Sequence, residues 1–188
     1  MDGRSGVTAQ EERPVHVLIA GVGYSFLHDW SVGPKVVTML QERSWPAGVD
    51  IDDWSFSPLD GIYRLGAADP PFDRTVFFGA IERGRPVGSV VRRRWHSAEL
   101  PSPEVVQECV GEAISGVINL DNLVFVCGAF RALPEDVVLI EVEPLADESW
   151  GDGFSPAVEA AIPELLAYIE REAALVAAPA SATHEDRP

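Results

Sequence analysis

Apolar positions along the chain fall into short runs separated by turn residues. Residues 15–20 (VHVLIA) form an apolar stretch that stops at Gly21 and Gly23, the pattern of a buried strand entering a tight turn. Val32, Val36 and Leu40 then recur at helical spacing, with Pro34 suited to the first turn of that helix. Val49–Asp53 reads as a second strand, residues 58–65 as a short helix, and residues 67–73, with Pro70 and Pro71, as a loop. A third buried strand covers residues 75–78 and ends at Gly79, and a more exposed strand covers residues 86–95. Residues 103–117 hold Val106, Val110, Ile114 and Val117 in helical register. Asp136–Val142 is a strong strand. Residues 155–176 make a long amphipathic helix with Ser155 as its N-cap and Glu159 in its first turn.

Strands that alternate with helices predict an α/β fold: a single-domain three-layer sandwich, with a mostly parallel, doubly wound, twisted sheet and helices on both faces. The domain is expected over residues 15–176, with polar, unpatterned tails at 1–14 and 177–188. In such sheets ligands bind beyond the carboxyl ends of the strands. That directs attention to loops 21–30, 53–59 and 79–84.

Composition narrows the classes. The 188 residues are 46% hydrophobic and 23% charged, normal for a globular chain that can bury its own core. A formal net charge of −16 disfavours nucleic acid and anionic membrane surfaces as partners. Cys109 and Cys127 lie in no metal-ligand spacing and read as buried free thiols, which suits a reducing compartment. The first residues show no apolar leader, and no run is long enough to span a membrane. The expected location is cytoplasmic.

One basic cluster stands out. Arg83, Arg85, Arg92, Arg93 and Arg94 are five of only 14 basic residues. They read either as a solvated edge strand guarded against aggregation or as a docking surface for an acidic partner segment.

The chemistry of the turns is sparse. Gly21-Val22-Gly23 begins a dinucleotide-binding fingerprint, but position 26 is Phe where a third glycine is needed. His28 and Asp29 could ligate a metal, or Asp29 could be a turn or cap residue. His16 lies in a strand pattern and reads as a core residue. No HExxH or GxSxG motif is present.

Three segments together resemble the hydrogenase maturation proteases, the endopeptidases that trim the C-terminal extension of the nickel–iron hydrogenase large subunit. The first is HVLIAGVGYSFLHDWSVGPK, residues 16–35, where Gly21, Gly23, Asp29, Gly33 and Pro34 match. The second is PEDVVLIEVEP, residues 134–144, with Glu141 at the family's glycine. The third is GFSPAVEAAIPELLAYI, residues 153–169. The resemblance spans residues 15–174 and implies that fold and that activity, the processing following nickel insertion into the precursor.

It also implies where a metal site would lie. The family places an acid, an Asp and a His around a nickel ion of the substrate. The acid aligns with Trp30, beside Asp29, and the Asp aligns with Gly79. The His aligns with Asp121 or, in another register, with Glu104. The Asp121 register makes residues 103–117 an inserted helix. The family's small-residue loop after the second strand is here Trp54-Ser55-Phe56-Ser57-Pro58, and its Asn is Tyr24. Two arrangements follow. One is an altered ligand set, His28, Asp29, Asp121 and Glu82, around the substrate's nickel. The other is an aromatic pocket of Tyr24, Phe26, Trp54 and Phe56, with the arginine strand beside it, that anchors a partner. No tightly bound cofactor is expected. The implied partner is the large-subunit precursor, met by a processing endopeptidase or by a non-catalytic binding or chaperone-type factor. A nucleotide-binding Rossmann-type protein is the remaining alternative.

Overall fold

The computed structural model describes residues 14–147 and 149–175. The expected tails therefore lie, except for Pro14, outside the described residues. Strands β1 (Val17–Val22), β2 (Val49–Asp53), β3 (Arg74–Ala80), β4 (Val90–Trp95) and β5 (Asp136–Val142) form one sheet in the order β2-β1-β3-β5-β4. All neighbours are parallel except β4, which runs antiparallel along β5 at the sheet edge.

The strand sequences explain these places. All six residues of β1 are buried, and β3 and β5 are buried except for their first residues. Continuous apolar runs of this kind belong to central strands covered on both faces. By contrast, β2 (VDIDD) and β4 (VVRRRW) carry the charges and take the edges.

Helices cover both faces, as the alternation of elements predicts. Helices α1 (Val32–Gln41) and α5 (Pro156–Ala174) pack on one face through Val36, Leu40, Val158, Leu165 and Ile169. The other face is covered by α2 (Pro58–Ala67) and α4 (Leu120–Ala129) through Leu65, Leu120, Leu123, Val124 and Cys127. Helix α3 (Pro103–Ile114) packs on α4. Among the described residues no helix is long and apolar enough to cross a membrane.

Helix α4 is absent from the sequence-based reading. It carries apolar residues around most of its circumference, because it lies between the sheet and α3, so the one-sided spacing that marks a surface helix is missing. Its start is nevertheless capped: Asn122 N–H donates to the Asn119 side chain at 2.8 Å.

The chain leaves β1 outward to β2 and returns to β3 on the other side. The sheet therefore has its switch point between the carboxyl ends of β1 and β3, where Val22 and Gly79 are in register.

Candidate functional site

At this switch point the first turn is packed on its own backbone. A Cβ at Gly33 would lie 2.3 Å from the Val22 carbonyl oxygen, and one at Gly21 would lie 2.4 Å from the Gly33 carbonyl oxygen. Strand β1 and helix α1 thus touch main chain to main chain. The close-packing glycine missing at position 26 is supplied at position 33.

The turn between them is no phosphate cradle. Residues His28–Ser31 form a short 3-10 turn. Tyr24 N–H donates to the Trp30 carbonyl at 3.0 Å, and Val32 N–H is taken by the Asp29 carbonyl. A Cβ at Gly23 would sit 2.4 Å from the Trp30 oxygen. The Tyr24 and Val32 amides are taken by carbonyls of the turn itself, which counts against nucleotide binding.

Asp29 is a structural carboxylate. It is 1% exposed and accepts from Ser155 N–H at 2.7 Å, Ser155 Oγ at 2.7 Å and Leu145 N–H at 2.8 Å. It caps neither α1 nor its own turn. It ties the first turn to the loop before α5, where Ser155 is the N-cap. Two of the three segments that carry the family resemblance are joined by this one side chain.

Of the other members of the altered ligand set, His28 shares a cavity with Asp29, and Glu82 and Asp121 do not line it. His28 has φ 45°, and its ring packs against Gly151. With Asp29, Leu145 and Asp147 it lines a small cavity of about 110 Å³. Glu82 is exposed. Glu104 begins α3 at the surface, where a hydrogen bond from Ser102 lowers its pKa. Trp30, at the acid position, packs on the α1/α5 face. Gly79 accepts no side chain, since a Cβ there would lie 2.3 Å from the Val22 oxygen. Among the described residues no three His, Cys, Asp or Glu side chains are grouped to hold a metal. The expected set of His28, Asp29, Asp121 and Glu82 is thus not brought together.

Asp121 does reach the carboxyl end of the sheet, in the first turn of α4, and an arginine holds it. Arg83 donates through both terminal nitrogens to its two oxygens, at 2.8 and 2.7 Å. The same guanidinium reaches Glu141 Oε1 at 3.0 Å. Arg93 Nε donates to that oxygen at 3.0 Å and Arg93 Nη1 to Glu99 at 2.7 Å. Arg85 bonds the other Glu141 oxygen.

Glu141 is in register with Gly79 on β3 and 2% exposed. Burial pushes its pKa up, and the hydrogen bonds from Arg83, Arg85 and Arg93 outweigh that and leave it below the usual value. The bond to Asp121, followed by the bond to Glu141, raises the pKa of Arg83 against the opposing effect of burial. Glu143 completes the cluster. It accepts from the backbone N–H of Arg83 at 2.9 and 3.0 Å and of Gly84 at 2.8 Å.

The five arginines, expected either as a guarded edge strand or as a docking surface, are paired within the chain. On β4, alternate residues face opposite sides. Arg93 turns toward Glu141, while Arg92 donates to Glu172 of α5 at 2.8 Å, and Arg94 stands 3.9 Å from Asp136. Each of the five has a carboxylate partner within the chain. The clue in the sequence was Glu141 inside an otherwise apolar strand and Glu143 just past its end, since charges buried at such places need partners.

Of the aromatic residues, Trp54 and Phe56 pack together with ring centres 5.4 Å apart, and Tyr24 and Phe26 have other surroundings. Trp54 is 2% exposed, stacks against Phe77 and donates Nε1 to Asp52 at 3.1 Å. Phe56 lies under Arg64, 4.2 Å from ring centre to guanidinium. Tyr24 Oη accepts from Ile118 N–H at 2.8 Å and so pins the segment before α4. Phe26 is 61% exposed, with φ 61°.

No family model matches the sequence, and no curated protein matches it. Solved structures do. The hydrogenase 2 maturation peptidase from Thaumarchaeota archaeon SCGC_AB-539-E09 is 25% identical, with a TM-score of 0.57 over 84% of this chain and 97% of that one. The hydrogenase maturating endopeptidase HybD from E. coli is 23% identical, with a TM-score of 0.59 over 84% and 94%. The NiFe hydrogenase maturation protease HycI from Thermococcus kodakarensis KOD1 is 21% identical, with a TM-score of 0.60 over 85% and 93%. The resemblance carried by the three sequence segments thus extends to the arrangement of the whole domain.

Proposed function

We propose that this chain, a divergent relative of the hydrogenase maturation proteases, acts as a maturation peptidase on the C-terminal extension of a nickel–iron hydrogenase large-subunit precursor, in the cytoplasm where that subunit is assembled. The observation that carries this reading is the convergence of the three resembling segments at one end of the sheet. The first and third are joined by Asp29 and Ser155. The second supplies Glu141 and Glu143 beside the switch point. Along with the structural likeness to maturation peptidases, this supports peptide handling at the carboxyl ends of β1, β3 and β5.

A second reading is favoured by one specific feature. Asp121, Glu141 and Glu143 are all engaged by the Arg83–Arg85 segment, so no carboxylate of this cluster is left to activate water. A factor that holds the precursor without cutting it would have this site. Incubating the purified chain with the precursor and weighing the products by intact-protein mass spectrometry separates the two. A shortened precursor supports cleavage, and a stable complex of unshortened precursor supports holding. The absence of both cleavage and a complex would rule out the large subunit as partner.

A further inference from the structure

The carboxylate cluster at the end of β3 and β5 is built around a guanidinium. Arg83 places its two terminal nitrogens between Asp121 and Glu141, with three contacts of 2.7 to 3.0 Å. Both Asp121 oxygens are used by Arg83. Both Glu141 oxygens are used by Arg83, Arg85 and Arg93. Both Glu143 oxygens are used by the Arg83 and Gly84 amides, with Arg85 Nε 3.6 Å away. Three guanidinium groups face four carboxylates, Asp121, Glu141, Glu143 and Glu99, and the cationic charge at the centre is already supplied.

A nickel ion needs free, deprotonated donors at about 2 Å. The two other positions where the resemblance puts ligands are Trp30 and Gly79, and neither offers a donor. This donor set does not fit a metal.

We infer that Arg83 serves as the permanent cation of this site, so that the chain engages its partner through a metal-free surface and does not read whether nickel is bound. The inference rests on the proposed function for the identity of the partner, but not for the behaviour of the site itself. Arg83 is a specificity-determining residue on this account. A metal carried by the partner meets carboxylates whose oxygens are already taken by guanidinium and amide donors, so nickel contributes no coupling to the association.

Two experiments test this. The first is calorimetric titration of the untagged full chain with nickel chloride. The wild type shows no saturable binding. The double variant Arg83→Met, Arg85→Met, which frees both Asp121 oxygens and one Glu141 oxygen, binds nickel, provided circular dichroism confirms its fold. Arg83→Lys keeps a cation in place and, like the wild type, binds none. Saturable nickel binding by the wild type that Asp121→Asn or Glu141→Gln abolishes would overturn the inference.

The second compares the affinities of the wild type for nickel-loaded and nickel-free precursor. The expected ratio is one, within about twofold. Binding only of the nickel-loaded form would overturn the inference even if the first experiment agreed. Failure to bind either form would count against the proposed partner, while the nickel titration still decides the role of Arg83.

Discussion

Replacing Asp29 with alanine removes an acceptor used three times at a site that is 1% exposed. Leu145 N–H and Ser155 N–H lose their partner, and Ser155 Oγ loses its own. A buried amide left unsatisfied costs about 1–3 kcal/mol. The hydroxyl can rotate, so the two amides dominate, and the expected loss is about 4 kcal/mol. Asn at this position keeps one oxygen but turns an NH2 group toward a donor, and about 2 kcal/mol is expected. With a urea slope of about 2 kcal/mol/M, the midpoints fall by about 2 M for alanine and about 1 M for asparagine. Urea titration followed by tryptophan fluorescence and far-ultraviolet circular dichroism measures both. An Asp29→Asn protein as stable as the wild type, or more stable, would refute the reasoning. Carboxylates kept for catalysis at a cost in stability behave in that way when removed, and Asp29 would then belong to the chemistry rather than to the frame.

Three further outcomes follow from the same contacts. Glu141 has a lowered pKa in the folded protein, so its share of stability is present above the unfolded value of roughly 4.3 and is lost as pH falls toward the folded value; Glu141→Gln should lower the urea midpoint at pH 7, and the gap from wild type should shrink below about pH 4. Burial pushes the Cys127 thiol up to about 12, so native protein should resist iodoacetamide at pH 8 under conditions that fully label the urea-unfolded chain, and stability should decline as pH rises above about 8.5. Gly33→Ala forces a Cβ against the Val22 main chain at 2.3 Å and should cost at least about 3 kcal/mol, read as a fall in Tm, whereas an unchanged Tm would contradict the contact between β1 and α1.

Much of the frame was legible because burial on both faces writes itself as apolar runs. Strands β2 and β5 have the bounds their sequences suggest, and β1 and β3 extend two residues past theirs into Val22 and Ala80. Helix α5 begins where Ser155-Pro156 marks it. The misses have physical causes. Helix α4 is buried between layers and shows no polar face. The 3-10 turn at His28–Ser31 is held by contacts from Gly151 and Leu27, which are remote or non-repeating and leave no period.

At the site, the sequence draws attention to single residues and leaves out their partners. A list of residue types cannot say that Asp29 meets Ser155, 126 positions away, or that Arg83 meets Asp121. Opposite charges distant in the chain read as a metal site and a docking strand when taken separately. Brought together by β3, β5 and α4, they neutralise one another.

The most direct test of the account is the affinity of the wild-type chain for the large-subunit precursor with its C-terminal extension, set against its affinity for the same subunit lacking that extension. The account predicts a complex with the extended form and at least about a tenfold weaker one, a loss of roughly 1.4 kcal/mol, with the trimmed form. Equal affinity for the two, or none for either, would contradict it.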